Sequence, residues 1–175
     1  MPQKIAILRG INVGGKRIIK MADLNAICTE LGWSHVSTYI QSGNVFFDSD
    51  ISEVDLEFDL DNAIKERFGY DVSVIVRSKA ELTSVVDQNP FLKEGISIER
   101  LLLTLLKTEP SSESIAQLQA LNAAPDRFEV HGEHVYLYVD GKYHQSKLTN
   151  NLFEKKLGVE ATTRNWNTIL RLVKG

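Results

Sequence analysis

The hydrophobic pattern of this chain repeats itself. The first half reads strand, helix, strand, strand, helix, strand, and the second half reads the same order again. In the first half, Lys4–Ile11 is an apolar strand. Met21–Leu31 carries apolar residues at helical spacing and stops at Gly32. Ser37–Gln41 and Val45–Asp48 form a hairpin around Ser42-Gly43-Asn44. Val54–Phe68 is a helix with Ser52 as its cap, Leu56, Leu60, Ile64 and Phe68 every fourth residue, and Gly69 as its stop. Val72–Val76 is the fourth strand.

The second half gives a strand at Leu101–Leu106 and a helix at Ser112–Asn122. A hairpin follows from Arg127–Val130 and Val135–Val139, then a helix at Leu148–Leu157 ended by Gly158. Glu160–Trp166 is the last strand, and a further helix at Thr168–Lys174 has Asn167 as a candidate cap. The order βαββαβ, twice, is the ferredoxin-like or α/β-plait plan, with helices on one face of an antiparallel sheet. The fold class expected is therefore α+β: two such units in tandem, plus a C-terminal helix. The pattern leaves open whether the two sheets pack together or run on as one.

Between the halves, Ser78-Lys79-Ala80-Glu81 has the spacing of a capping box and should start a short helix that Asn89-Pro90 ends. The expected division is residues 1–78, a helical connector at 79–95, and residues 96–175. The connector is not low in complexity, so it is expected to pack rather than to tether.

Composition sets limits. With 43% apolar and 25% charged residues in 175, the chain has the balance of a globular protein and can bury a core without staples. The single cysteine, Cys28, falls in the apolar stripe of the first helix and reads as a buried thiol in a reducing, cytoplasmic setting. No signal peptide or membrane span is expected. The net charge of −3 argues against a general nucleic-acid coat. Locally, however, Arg9, Lys16, Arg17 and Lys20 cluster with no acid before Asp23.

That cluster lies on the most suggestive loop. Arg9-Gly10-Ile11-Asn12-Val13-Gly14-Gly15-Lys16 follows an apolar strand, and a glycine-rich turn after a strand can aim backbone N–H groups at an anion. Gly10 to Arg17 reads G-x-x-x-x-G-K-R, which resembles a nucleotide-binding P-loop. That loop needs Ser or Thr where Arg17 stands, to hold a magnesium ion. A metal-free anion cradle and a plain glycine turn both remain open.

Three other segments are candidates. Gln41, Ser42 and Asn44 are explained by a tight turn, or share a site with the loop. Ser146 and Lys147 cap a helix, or hold a phosphate at its start; adjacent in sequence, they do not make a nucleophile pair. Arg164, Asn165, Trp166 and Asn167 either end a strand and cap the last helix, or supply an arginine for an anion and an amide to orient it. No His-x-x-x-His helix, cysteine pair or aspartate-rich loop appears, so no metal site is expected.

Long blocks of the chain resemble bacterial proteins grouped as domain of unknown function 1697. They are Arg9–Lys16, Lys20-Met21-Ala22-Asp23-Leu24, Thr38–Val45, Phe68–Val72, Val76-Arg77-Ser78, Asn89-Pro90-Phe91, Ser146-Lys147-Leu148 and Thr163–Thr168. The resemblance implies tandem α/β-plait subdomains. It implies no reaction and names no cofactor.

The function expected from these readings is binding of a small phosphate- or carboxylate-bearing molecule by the Arg9–Lys16 loop together with the Arg164–Asn167 segment, with or without a reaction. One alternative is a single-stranded nucleic-acid module that stacks bases on Tyr39, Phe46, Phe47, Tyr136 and Tyr138. The other is a scaffold that presents a surface and binds no ligand.

Overall fold

In the computed structural model, which describes residues 1–175, the first strand is β1 (Gln3–Leu8). It ends earlier than the apolar run suggests, because Gly10 turns the chain away with φ +65°. Next come α1 (Met21–Glu30), β2 (Ser34–Tyr39), β3 (Asn44–Asp48), α2 (Glu53–Phe68), β4 (Val74–Ser78) and α3 (Lys79–Asp87). The remainder is β5 (Leu101–Leu106), α4 (Ser112–Gln119), β6 (Arg127–His131), β7 (His134–Tyr138), α5 (Asn150–Leu157), β8 (Ala161–Asn165) and α6 (Trp166–Lys174). The fold is α+β, with six α-helices and two separate four-stranded sheets, both antiparallel. No helix is long and apolar enough to cross a membrane.

The chain divides into two compact units: Met1–Ser84 with Leu172–Gly175, and Val85–Arg171. In the first, the sheet order is β2-β3-β1-β4. Gln3 pairs with Asp48 and Ile7 with Asn44 on one side of β1, and Leu8 pairs with Val74 on the other. The fourth strand thus starts two residues later than the hydrophobic run suggests. Val72 is buried in the core but lies outside the ladder, because pairing with β1 sets the register and not the apolar run.

Ala6, Leu8, Val45, Phe47, Val74 and Val76 line the sheet face that meets Leu24, Ile27 and Cys28 of α1 and Leu56, Leu60 and Ile64 of α2. Trp33 stacks on Phe47 with ring centroids 3.9 Å apart. Burial pushes the Cys28 thiol up to about 12, so it stays protonated and unreactive in the closed fold. The helix ends follow local rules. Ser52 accepts from the Asp55 N–H at 3.2 Å, and Gly69 closes α2 in the left-handed region at φ 73°. Ser78 and Glu81 form the expected reciprocal box at 3.1 and 2.8 Å.

Glu57 reaches from α2 to the edge strand, accepting from the Val76 N–H at 2.9 Å, with the buried Arg77 guanidinium 3.8 Å away. Nearby, the Glu53 carboxyl is held above its ordinary range, first by burial and then by Glu81.

In the second unit the sheet order is β6-β7-β5-β8. Leu102, Leu106, Val135, Leu137 and Ala161 of the strands meet Leu118 of α4 and Phe153 and Leu157 of α5 in one core. Two boundaries differ from expectation for a capping reason. α5 begins at Asn150 because Thr149, not Ser146, caps it, accepting from the Leu152 N–H at 3.1 Å. α6 begins at Trp166 because Asn165, not Asn167, accepts from the Thr168 N–H at 2.9 Å.

Candidate functional site

The chain between β1 and α1 folds into a hairpin of its own. Lys16 donates its N–H to Val13 at 3.0 Å and Asn12 donates to Arg17 at 3.1 Å. The two residues at the tip, Gly14 and Gly15, have φ of 59° and 72°. Positive φ at both central positions is the type I′ geometry, which suits the twist of a hairpin and which glycine adopts without strain. Lys16, Arg17 and Lys20 are exposed, as are Val13 and Ile18. The hairpin and the residues that follow it therefore expose Lys16 beside the tip, Arg17 with its guanidinium back against Gly10, and Lys20 at the entry to α1, together with Val13 and Ile18. The glycines form a tight turn in which the Lys16 N–H is already bonded to Val13.

Asn12 fixes this hairpin to the sheet. Its Nδ2 donates to the carbonyls of Ile19 at 2.9 Å and Gln41 at 2.7 Å, and its Oδ1 accepts from the Ile19 N–H at 2.9 Å. The Gln41–Asn44 turn is thereby brought against the loop. Leu8 donates to Gly43 at 2.9 Å. A Cβ on Gly43 would lie 2.6 Å from the Ile11 side chain, so only glycine lets the turn approach this closely. Asn44 is buried and braces the turn, donating to Tyr39 at 2.9 Å and to Ser42 at 3.2 Å. Arg9 sits at the root of the loop and donates its N–H to Ser73 at 3.0 Å.

Strain collects here. Outside glycine, positive φ occurs at Asn12, Arg17, His35 and Ile40. Asn12 and Arg17 lie in the hairpin, and Ile40 immediately precedes the Gln41–Asn44 turn, its carbonyl accepting from the Gly43 N–H at 3.3 Å. Ile40 is β-branched, the type of residue for which φ of 51° is least comfortable. Strain of this kind costs on the order of 1–3 kcal/mol per residue and gathers at functional sites.

Each of the other candidates lies in the second unit. Arg164 is buried, with Nη1 donating to Thr162 Oγ1 at 2.9 Å and to the Thr163 carbonyl at 3.2 Å. Burial lowers its pKa to about 10. Asn165 caps α6, Trp166 is fully buried and Asn167 is exposed. Ser146 donates to Asp126 at 2.5 Å and accepts from the Leu148 N–H at 3.1 Å, while Lys147 is exposed.

Two features escaped the sequence reading. The first is a polar chain in the second unit: Thr104 and Thr163 hydroxyls 2.7 Å apart, with Thr163 donating to Asn150 at 3.0 Å. Its only sequence signal is Thr104 within a leucine run. The second is a shallow cavity of about 380 Å³, lined among others by Phe91, Leu121, Asn122 and Phe128. Arg127 on its wall is already held by Glu94 at 2.8 and 2.9 Å. Of the five aromatics considered for base stacking, Phe46, Phe47 and Tyr136 are buried and unavailable as a platform.

No curated protein matches. A conserved bacterial protein from Streptococcus pneumoniae, whose structure is solved, is 23% identical, with a TM-score of 0.80 over 99% of this chain and 97% of that one. That likeness supports the fold through both units. The family model for a protein of unknown function, DUF1697, matches residues 1–136, a range that holds the Arg9–Lys20 hairpin and the Gln41–Asn44 turn. The chain belongs to the DUF1697 family of proteins of unknown function.

Proposed function

We propose that each unit is ferredoxin-like, and that the protein binds a small anionic molecule, phosphate- or carboxylate-bearing, at the hairpin of the first unit. The order β1-α1-β2-β3-α2-β4 with sheet order β2-β3-β1-β4 supports the first part. The observation that carries the second is a strained, clamped hairpin presenting exposed Lys16, Arg17 and Lys20. A rigid loop holds its cations in place before a ligand arrives, so little ordering remains to be done on binding. Arg9, Gly10, Asn12, Gln41, Ser42 and Asn44 shape the loop, and Gly14, Gly15 and Lys16 form its tip. In this reading Ser146, Arg164, Asn165 and Trp166 serve the second unit's own architecture. The buried thiol of Cys28 supports a reducing cytosol as the compartment.

The test is a titration with inorganic pyrophosphate, followed by amide chemical shifts. Shifts are expected at Gly14, Gly15, Lys16 and Arg17, weakening steeply with salt. The double variant K16E/R17E should lose them while keeping the wild-type fold. Unchanged loop shifts in the wild type on adding pyrophosphate, or equal affinity in the variant, would refute the reading.

A further inference from the structure

The surface of the first unit carries a second unusual patch. On α2, Val54 is 73% exposed and Phe58 is 66% exposed, with Ile51 just before the helix also open. Val54 and Phe58 are four residues apart, so they form one stripe on the face of α2 away from the buried Leu56, Leu60 and Ile64. Asp50, Asp55 and Asp59 are exposed around them. The N-terminal ammonium lies 3.9 Å from Asp50 and the Lys4 ammonium donates to the Ile51 carbonyl, so the patch is acidic on its Asp55 and Asp59 side. A phenylalanine this open on a helix, flanked there by carboxylates, suits a partner that is both apolar and basic.

The same unit displays a surface of that chemistry. Its hairpin and the residues leading into α1 carry Val13, 63% exposed, and Ile18, 50% exposed, among Lys16, Arg17 and Lys20. The strand register shows that the two patches are at opposite ends of the sheet. The hairpin follows Leu8, at the end of β1. α2 follows Asp48, which pairs with Gln3 at the start of β1. A strand of this length spans roughly 17–20 Å, so the tip cannot fold onto the α2 face of its own unit.

We infer that the hairpin tip of one molecule docks on the Val54–Phe58 face of α2 in a second copy of the chain. Because the two surfaces differ, each contact joins a tip to a face; copies can close on one another as a reciprocal pair or a ring, and an open assembly keeps a free tip at one end and a free face at the other. The patch is small, which puts the contact among weak, transient ones that are sensitive to salt. The inference does not depend on anion binding at the tip. Phe58→Asp leaves the tip intact, so pyrophosphate shifts on that variant report the anion reading alone.

Sedimentation equilibrium over a range of protein concentrations tests it, with circular dichroism as the check that variants fold. The wild-type mass should rise with concentration and fall back with added salt. Phe58→Asp and K16E/R17E should each remain monomeric alone, since each lacks one of the two surfaces. Mixed, the intact tip of the first should meet the intact face of the second and give a one-to-one pair that grows no further. Phe58→Ser gives the same readout without added charge. A wild-type mass independent of concentration overturns the inference. So does self-association that survives either variant, or a mixture that fails to pair.

Discussion

The connection that follows the first strand differs sharply between the two units. Up to that point they match bond for bond. Leu8 donates to Gly43 and Arg9 to Ser73 in the first unit; Leu106 donates to Glu133 and Lys107 to Glu160 in the second. Each unit also sends a glutamate from its second helix to a backbone N–H of its fourth strand or that strand's first residue: Glu57 to Val76 at 2.9 Å, and Glu154 to Ala161 at 3.2 Å. Beyond Arg9 and Lys107 the units part. The second passes through Lys107–Ser111 directly into α4, whose cap Ser111 accepts from the Ser114 N–H at 3.2 Å. The first inserts a hairpin and enters α1 through Lys20, which makes no side-chain cap bond. A repeated scaffold with one elaborated connection places the specialisation on that connection.

The largest test of this comparison concerns what the units share. Glu57 is buried beside buried Arg77, whereas Glu154 is only half-buried. Glu57→Ala should cost about 3–5 kcal/mol in denaturant unfolding, because it strips a buried ion pair of one partner. Glu154→Ala should cost about 1 kcal/mol, the net worth of an ordinary hydrogen bond. Equal costs would mean that the two struts are equivalent after all.

Next comes the clamp that only the first unit has. Asn12→Ala loses three hydrogen bonds and places alanine at φ 55°, for a cost of about 2–3 kcal/mol. Amide exchange should speed up in the hairpin and in the Gln41–Asn44 turn together. Faster exchange in only one of them would show that the two loops are not coupled.

A smaller effect, of opposite sign, is expected at the uncapped helix. Lys20 already has extended backbone geometry, so Lys20→Ser should gain about 1 kcal/mol by capping α1 as Ser111 caps α4. It should also weaken pyrophosphate shifts at the tip. A gain in stability with unchanged binding would remove Lys20 from the proposed site.

The smallest concerns pH. The Glu53 carboxyl titrates above its unfolded value, so the folded state holds that proton more tightly. Its contribution is present below the unfolded pKa and is lost as pH rises through the folded one. Glu53→Gln keeps a donor and carries no charge. Its stability relative to wild type should therefore grow as pH rises through the carboxylate range. Parallel stability curves for the two proteins would contradict this.

Much of the fold was legible because its signals are local. Ser52, the Ser78–Glu81 box, Gly69 and Gly158 mark helix ends through bonds within one turn, and the Leu56–Leu60–Ile64 stripe faces the core as its spacing requires. What was not legible depends on residues far apart in sequence. The register of β4 is set by β1, not by the apolar run around Val72. The hydrogen bond from Asn12 to Gln41 spans 29 positions, and no pattern in either segment announces it. The loop stands out in sequence by its glycines and cations, whereas the type I′ geometry of Gly14 and Gly15 is visible only in the backbone. Ser146 and Asn167 look like caps by residue type, but their neighbours Thr149 and Asn165 reach the free N–H groups.

Cys28 gives the molecule an internal clock. It is the chain's only thiol, it lies in the core of the first unit, and it is inert while that core is closed. The rate at which a thiol reagent labels it therefore measures how often that unit opens. Asn12→Ala and Glu57→Ala can each be read on this one atom, without denaturant and without an introduced label.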